Sequence, residues 1–164
     1  MERRLILMRH AKSSWETDAP TDHARPLSKR GQRDAPRIAD RLVELDWRPQ
    51  LVLSSDSQRT QQTFQRMQDA LGQDVQVQFL PSLYAAGPKE LTGALAAISD
   101  DLTCVLALGH NPGWEEAAQW LCGQDVRLST ANAALLVGAG SSWREALNGA
   151  GSWDLHDVLR PKEL

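Results

Sequence analysis

Short apolar runs alternate with stretches in which apolar residues return every three or four positions, and this alternation organises the chain. Leu5-Ile6-Leu7-Met8 reads as a buried strand over 4–8. Residues 29–45 read as a helix with Ser28 as N-cap and Ile38, Leu42 and Leu45 on one face; Pro36 should bend or divide it. Leu51-Val52-Leu53 is a second short strand, and 58–71 carries Thr60, Phe64, Met67 and Leu71 at helical spacing. Val75, Val77 and Phe79 alternate as a third strand before a Pro81 turn, and Leu91, Ala94, Leu95 and Ile98 mark another helix. Residues 103–108 are strand-like, and 113–122 predict a helix with Trp114, Ala117, Ala118 and Leu121 inward. Residues 133–138 and 152–158 read as closing strands around the turn-rich 140–151, the second alternating imperfectly through Trp153, Leu155 and Val158. Strand and helix in alternation predict βαβ units. The expected class is α/β: a single three-layer α/β/α domain over 1–164, with a mostly parallel sheet and an antiparallel edge pair.

Composition narrows the function classes. The 41% hydrophobic fraction suits a globular chain, and a net charge of −3 argues against a general nucleic-acid binder. Cys104 and Cys122 make no disulfide framework and no metal-type spacing, and both read as buried thiols. Met1-Glu2-Arg3-Arg4 leads into an apolar run too short for a signal peptide or a membrane span. The expectation is a cytoplasmic protein without membrane association.

Polar groups suited to an anion follow three of the apolar runs. The first ends in Arg9-His10, the second in Ser54-Ser55 with Arg59 one turn later, and the run 103–108 in Gly109-His110-Asn111-Pro112-Gly113. In a parallel sheet the carboxyl ends of strands share one edge, where ligands bind. Two guanidiniums there can grip a phosphoryl group in fixed geometry, and helix N-termini near 57 and 113 add free N–H groups. Neutral His10 can then attack phosphorus, while His110 stabilises charge on the equatorial oxygens. The protein supplies the cations, so no metal or other cofactor is required. Lys12, Ser13 and Ser14 follow His10 and read equally as substrate contacts or as a solvated loop; Arg25 reads equally as a pocket residue or a structural ion pair. His23 and His156 read as structural. The six tryptophans are scattered and read as packing residues, except that Trp15, just after the Arg-His pair, is placed to line a rim. The basic cluster from Lys29 to Arg41 is interspersed with Asp34 and Asp40, and reads as a solvated helix face before a docking surface.

Leu7-Met8-Arg9-His10-Ala11, Ser54-Ser55 with Arg59-Thr60, and Leu108-Gly109-His110-Asn111, in this order, resemble the histidine phosphatase superfamily. With Arg25-Pro26-Leu27-Ser28 and Leu83-Tyr84-Ala85-Ala86, the arrangement over about 4–138 is similar to the short, SixA-type phosphohistidine phosphatase branch. The resemblance implies a phosphoglycerate mutase-like fold, His10 as nucleophile, and Arg9, Arg59 and His110 completing the phosphate pocket. Lys12, Ser14, Arg25 and Asn111 are candidates for binding substrate.

The chain departs from that pattern in two places. Ala11 stands where the wider superfamily usually has Gly, so the backbone there must suit an L-residue. The general acid of larger relatives comes from an insertion absent here, or from an Asp after the second histidine, where this chain has Asn111. Asp18, Asp22, Glu90 and Glu115 are the candidates that remain. A positioned acid is worth roughly 10²–10⁴ in rate for an alcohol leaving group. An imidazole departs more readily, so the missing acid favours phosphoramidate over ester hydrolysis. The expected function is removal of phosphate from a histidine-phosphorylated protein, such as a phosphotransfer or phosphocarrier domain, by a monomer or weak dimer. A small-molecule phosphomonoesterase or mutase-like phosphotransferase is the rival enzyme, and a non-catalytic phosphate-binding module the rival of another class.

Overall fold

In the computed structural model, which describes residues 1–164, the apolar runs become β1 (Glu2–Arg9), β2 (Leu51–Ser55), β3 (Gln76–Leu80), β4 (Cys104–Gly109), β5 (Ala133–Ala139) and β6 (Asp154–Leu159). They form one sheet in the order β3-β2-β4-β1-β5-β6. The first four in that order run parallel, whereas β5 is antiparallel to both β1 and β6. The periodic stretches become α1 (Lys29–Glu44), α2 (Gln58–Leu71), α3 (Pro88–Ala96), α4 (Gly113–Cys122) and the short α5 (Trp143–Ala146).

The strand period of two sorts the core into two layers. Ile6 and Met8 face a cluster containing Ile38, Leu42, Phe64 and Met67 of α1 and α2. Leu5 and Leu7 face the opposite cluster, with Leu91 and Leu95 of α3, Trp114 and Leu121 of α4, and Trp143 of α5. The fold is thus a mostly parallel α/β sheet with helices on both faces and an antiparallel edge. No helix is long and apolar enough to cross a membrane.

Several local expectations are corrected. Pro36 does not divide α1, which runs unbroken from Lys29 to Glu44. The helix keeps its N-cap, Ser28 accepting from the Gly31 amide, and Ile38 and Leu42 beyond the proline are fully buried. Packing of that face outweighs the single ladder hydrogen bond that proline removes. α3 stops at Ala96, so Ile98 packs from beyond its end. α5 forms within the stretch read as turns, capped by Ser142, whose side chain accepts from the Glu145 amide. The imperfect alternation of the last strand is a β-bulge: Leu155 pairs with Leu136 and Asp157 with Leu135, leaving His156 as the extra residue. Leu155 and Val158 consequently pack on the same layer despite their odd spacing. Cys104 and Cys122 are free and only half-buried.

β1 also starts earlier than its apolar run, because Arg3 is fully buried. Its guanidinium donates to four carbonyls: Asp100 at 2.7 Å, Ser141 at 2.8 Å, Leu102 at 3.1 Å and Gly140 at 3.2 Å. A buried charge is tolerated when its donors are satisfied in this way.

The start of α4 carries a packing constraint that bears on the site. A Cβ on Gly113 would overlap the backbone carbonyl of Ala86. Gly113→Ala is therefore expected to lower stability by about 1–3 kcal/mol, the scale of local overpacking, read as a reduced thermal midpoint. An unchanged midpoint would show that the 86–113 contact is loose.

Candidate active site

The carboxyl ends of β1, β2 and β4 bring together Arg9, His10, Arg59 and His110. The parallel register pairs Arg9 with Gly109, so the residue following each strand is a histidine, and the two rings lie 5.2 Å apart between centroids. The His10 amide donates to Gly109 O at 3.0 Å, and its carbonyl accepts from the Ala131 amide at 2.9 Å. Ala11 is fully buried, does not take a positive φ, and donates its amide to Thr63 Oγ1 on α2 at 3.1 Å. Thr63 in turn donates to Arg59 O at 2.7 Å, tying the loop after β1 to the helix that carries Arg59. Arg59 sits in the first turn of α2, whose start is fixed by Ser57 accepting from the Thr60 amide.

His10 is buried, and its Nδ1 lies 2.7 Å from Ala11 O. Only an N–H can make that contact, so Nδ1 carries the proton and Nε2 keeps its lone pair. Burial foremost pushes the His10 pKa down to about 3, with His110, Arg59 and Arg9 adding to it. His110 lies 2.9 Å through Nε2 from Ser55 Oγ, while its Nδ1 is buried without a protein partner. Burial, then Arg59, lowers its pKa to about 4. Arg9 donates to Leu128 O at 3.1 Å through Nη1, and its Nε is likewise buried and unpartnered. Two imidazoles held neutral by burial beside a cavity lined by cations make a receptor for a multiply charged oxyanion.

That cavity, about 190 Å³, is lined by Arg9, His10, Lys12, Ser13, Trp15, Arg25, Arg59, His110, Asn111 and Thr130. Four of these are cationic side chains, and no carboxylate is among the lining residues. Arg25 lines the cavity and also pairs through Nη1 with Asp22 Oδ1 at 2.8 Å. It also lies 3.3 Å from the ring of Trp15, which is 74% exposed at the mouth. The other tryptophans are packing residues, Trp114, Trp143 and Trp153 deeply buried. Asn111 lines the cavity and anchors α4, donating to Leu128 O at 2.7 Å and accepting from the Glu115 amide at 3.3 Å.

The remaining candidates are placed differently. Ser14 lines neither this cavity nor the larger one beside it; it closes a turn with Glu16. Among the acid candidates, Asp18 is exposed and outside both cavities. Glu90 accepts from the Gly87 amide at 2.7 Å and so caps α3. Glu115 accepts from the Leu128 amide at 2.7 Å, supporting the segment that holds Arg9.

Asp22 alone of the four lines a site cavity, but it is tied down. It accepts from Tyr84 at 2.5 Å and from Arg59 Nη2 at 3.0 Å, and its carbonyl accepts from Arg59 Nη1 at 2.8 Å. The Tyr84 hydroxyl first, then Arg25 and Arg59, hold its carboxyl well below the usual carboxylate range, against the opposing effect of desolvation. Asp22 thus links Arg25, Arg59 and Tyr84 through one carboxylate.

Two neighbours of the site escaped the sequence reading. Tyr84, within the Leu83-Tyr84-Ala85-Ala86 segment, stacks edge-on against His110 at 5.4 Å. Glu116 lines the larger cavity with Asn111 and Gly87. The Tyr84 signal lay in a segment already marked; Glu116 reads in sequence as an ordinary solvated helix residue. His23 pairs with Asp56 at 2.9 Å and packs on Tyr84, and His156 stacks on Trp47. No group of three or more His, Cys, Asp or Glu side chains is arranged to hold a metal.

The family model of the histidine phosphatase superfamily, branch 1, matches residues 5–91. An uncharacterised chloroplastic protein of Arabidopsis thaliana is 43% identical, the match spanning 98% of this chain and 79% of the relative. Among solved structures, a protein provisionally assigned as the phosphohistidine phosphatase SixA of Nakamurella multipartitia superposes with a TM-score of 0.85 at 26% identity, covering 98% of this chain and 97% of that one. A second, with the same provisional assignment from Agrobacterium tumefaciens, superposes with a TM-score of 0.80 at 28% identity, covering 97% and 98%. The chain belongs to the histidine phosphatase superfamily, branch 1, and is a phosphatase similar in fold to these SixA-named structures.

Proposed function

We propose that the chain removes the phosphoryl group from a histidine-phosphorylated protein by way of a phosphohistidine on His10, without a metal. The observation that carries this reading is the protonation pattern of His10. Its Nδ1–H is committed to Ala11 O, which leaves Nε2 as a lone pair beside a cavity lined by Arg9, Lys12, Arg25 and Arg59. The phosphoryl oxygens are held by those cations and by His110 as phosphorus moves from the substrate nitrogen to Nε2. Water then attacks phosphorus, the P–N bond to His10 breaks, and its electron pair returns to Nε2. Asp22 has no proton to donate, which favours a substrate whose leaving group departs as imidazole. Naming of the two solved relatives as phosphohistidine phosphatases is consistent with this choice. The partner is a phosphotransfer or phosphocarrier domain, able to reach a shallow site rimmed by Trp15.

Incubation with a radiolabelled phosphoramidate is expected to label the wild-type chain, and His10→Ala to abolish both label and turnover. Equal hydrolysis by the two would remove His10 as nucleophile, and phosphate binding without turnover would leave a recognition module. Faster cleavage of sugar phosphates than of phosphohistidine would point to the small-molecule phosphatase.

Acid should spare the nucleophile. Because burial lowers the pKa of His10 to about 3 and of His110 to about 4, both rings are expected to stay neutral at pH 5 in nitrogen-15 NMR spectra. An exposed imidazole, with its ordinary value of 6.5, is mostly protonated there. Below that value the unfolded chain binds more protons than the folded one, so these two groups make stability fall as pH drops toward 3–4. Inflections near 6.5 for either ring would contradict their burial as neutral groups.

Asp22→Ala removes the carboxylate that accepts from Arg59 Nη2 and leaves only the backbone carbonyl bond to Nη1. A misplaced clamp is expected to lower kcat/KM on the order of 10–100-fold. The loss should be the same for good and poor leaving groups. A loss growing as the leaving group worsens would instead make Asp22 the proton donor.

A further inference from the structure

The nucleophile's cavity and its larger neighbour share a wall made by Arg59, His110 and Asn111, but their charges differ in kind. The charged side chains lining the cavity around His10 are all cations. Beyond the wall, a cavity of about 470 Å³ holds the carboxylates of Asp22 and Glu116, the Tyr84 ring, and Arg59 as its one cation. Asp22 is neutralised by Arg25 and Arg59. Glu116 stands in no ion pair. It lies in the first turn of α4, with Oε2 3.7 Å from where a Cβ on Gly87 would stand, so the bare glycine leaves its carboxylate open to the cavity. A substrate fitting both chambers carries negative charge on its phosphoryl end and positive charge on its leaving group.

We propose that Glu116 is the leaving-group residue of this site, receiving the protonated nitrogen base from which the phosphoryl group departs. The inference rests on the phosphohistidine reading and specifies how the substrate's own ring is recognised. The phosphorylated imidazole enters as a cation, with phosphorus on one ring nitrogen and a proton on the other. A bond forms from His10 Nε2 to phosphorus as the substrate P–N bond breaks. The electron pair of that bond returns to the substrate ring, which leaves as neutral imidazole with its proton still on the far nitrogen. Glu116 accepts a hydrogen bond from that N–H throughout, so no proton has to cross. Its carboxylate favours the cationic form of the substrate, which is the better electrophile. An ester leaving group has no such N–H and gains nothing from it.

The test compares phosphoimidazole with 4-nitrophenyl phosphate on the full chain, wild type against Glu116→Gln. Glu116 is exposed, so the substitution leaves the fold intact, and the ester serves as an internal control for it. Glu116→Gln is expected to lower kcat/KM for phosphoimidazole about tenfold, the scale of one charge-assisted hydrogen bond, and to leave the ester unchanged. The preference of the wild type for phosphoimidazole should also rise as pH falls and the substrate ring protonates, and this rise should flatten in the variant. Equal effects on both substrates, no effect on either, or a loss confined to the ester would overturn the role of Glu116 while leaving the phosphohistidine reading in place. A wild type inert toward phosphoimidazole would overturn both.

Discussion

The parallel pairing of β1 with β4, in register from Arg4 opposite Cys104 to Arg9 opposite Gly109, is the constraint on which the site depends. It ends both strands at the same level, so the residues that follow, His10 and His110, emerge side by side. β2 pairs with the other edge of β4 and delivers Ser55 to His110 and, one turn into α2, Arg59. A slip of one residue would turn His10 toward the opposite face and move Leu5 and Leu7 out of the layer they fill with α3 and α4. Core packing and catalytic geometry are therefore enforced by the same register.

Electrostatics within this frame are settled by burial and by one carboxylate. Both histidines are less than a tenth exposed, and burial, which disfavours an imidazolium, is the largest influence on each ring and favours its neutral form. The cations cannot be relieved in that way, since an arginine keeps its proton. Asp22 relieves them from the side, bridging Arg25 and Arg59 without entering the chamber around His10. Tyr84 completes the arrangement by donating to the same carboxylate while its ring packs on His110. Charge is separated into a cationic chamber and an acidic one, with Arg59 and His110 between them.

Much of this was legible in the chain, and the misreadings share a cause. Strands with uniform apolar runs, and helices such as 113–122 with a clean periodic face, were readable because local pattern and burial agree there. Pro36 and the β6 bulge were not, because tertiary packing decides whether a helix survives a lost hydrogen bond and which way a strand turns after its extra residue. Arg3 reads as part of a polar start, yet it is buried because carbonyls distant in sequence converge on it. Arg9, His10, Arg59 and His110 could be named because each follows an apolar run or opens a helix. Tyr84 and Glu116 could not, since neither spacing nor residue type tells which side of a helix or turn faces a cavity.

What the sequence by itself determined is the alternation of elements and the chemical groups placed at their ends. Those depend on short-range periodicity and on residue type, and both are written along the chain. Only the tertiary structure decided which carboxylate is tied to which arginine, which histidine nitrogen keeps its lone pair, and that Asp22 bridges Arg25 and Arg59. These follow from distances between residues far apart in the chain, such as Arg59 to Asp22 and Tyr84 to Asp22. Hydrogen bonds and desolvation act over a few ångströms, so the roles of these groups are fixed only once the strands are in register.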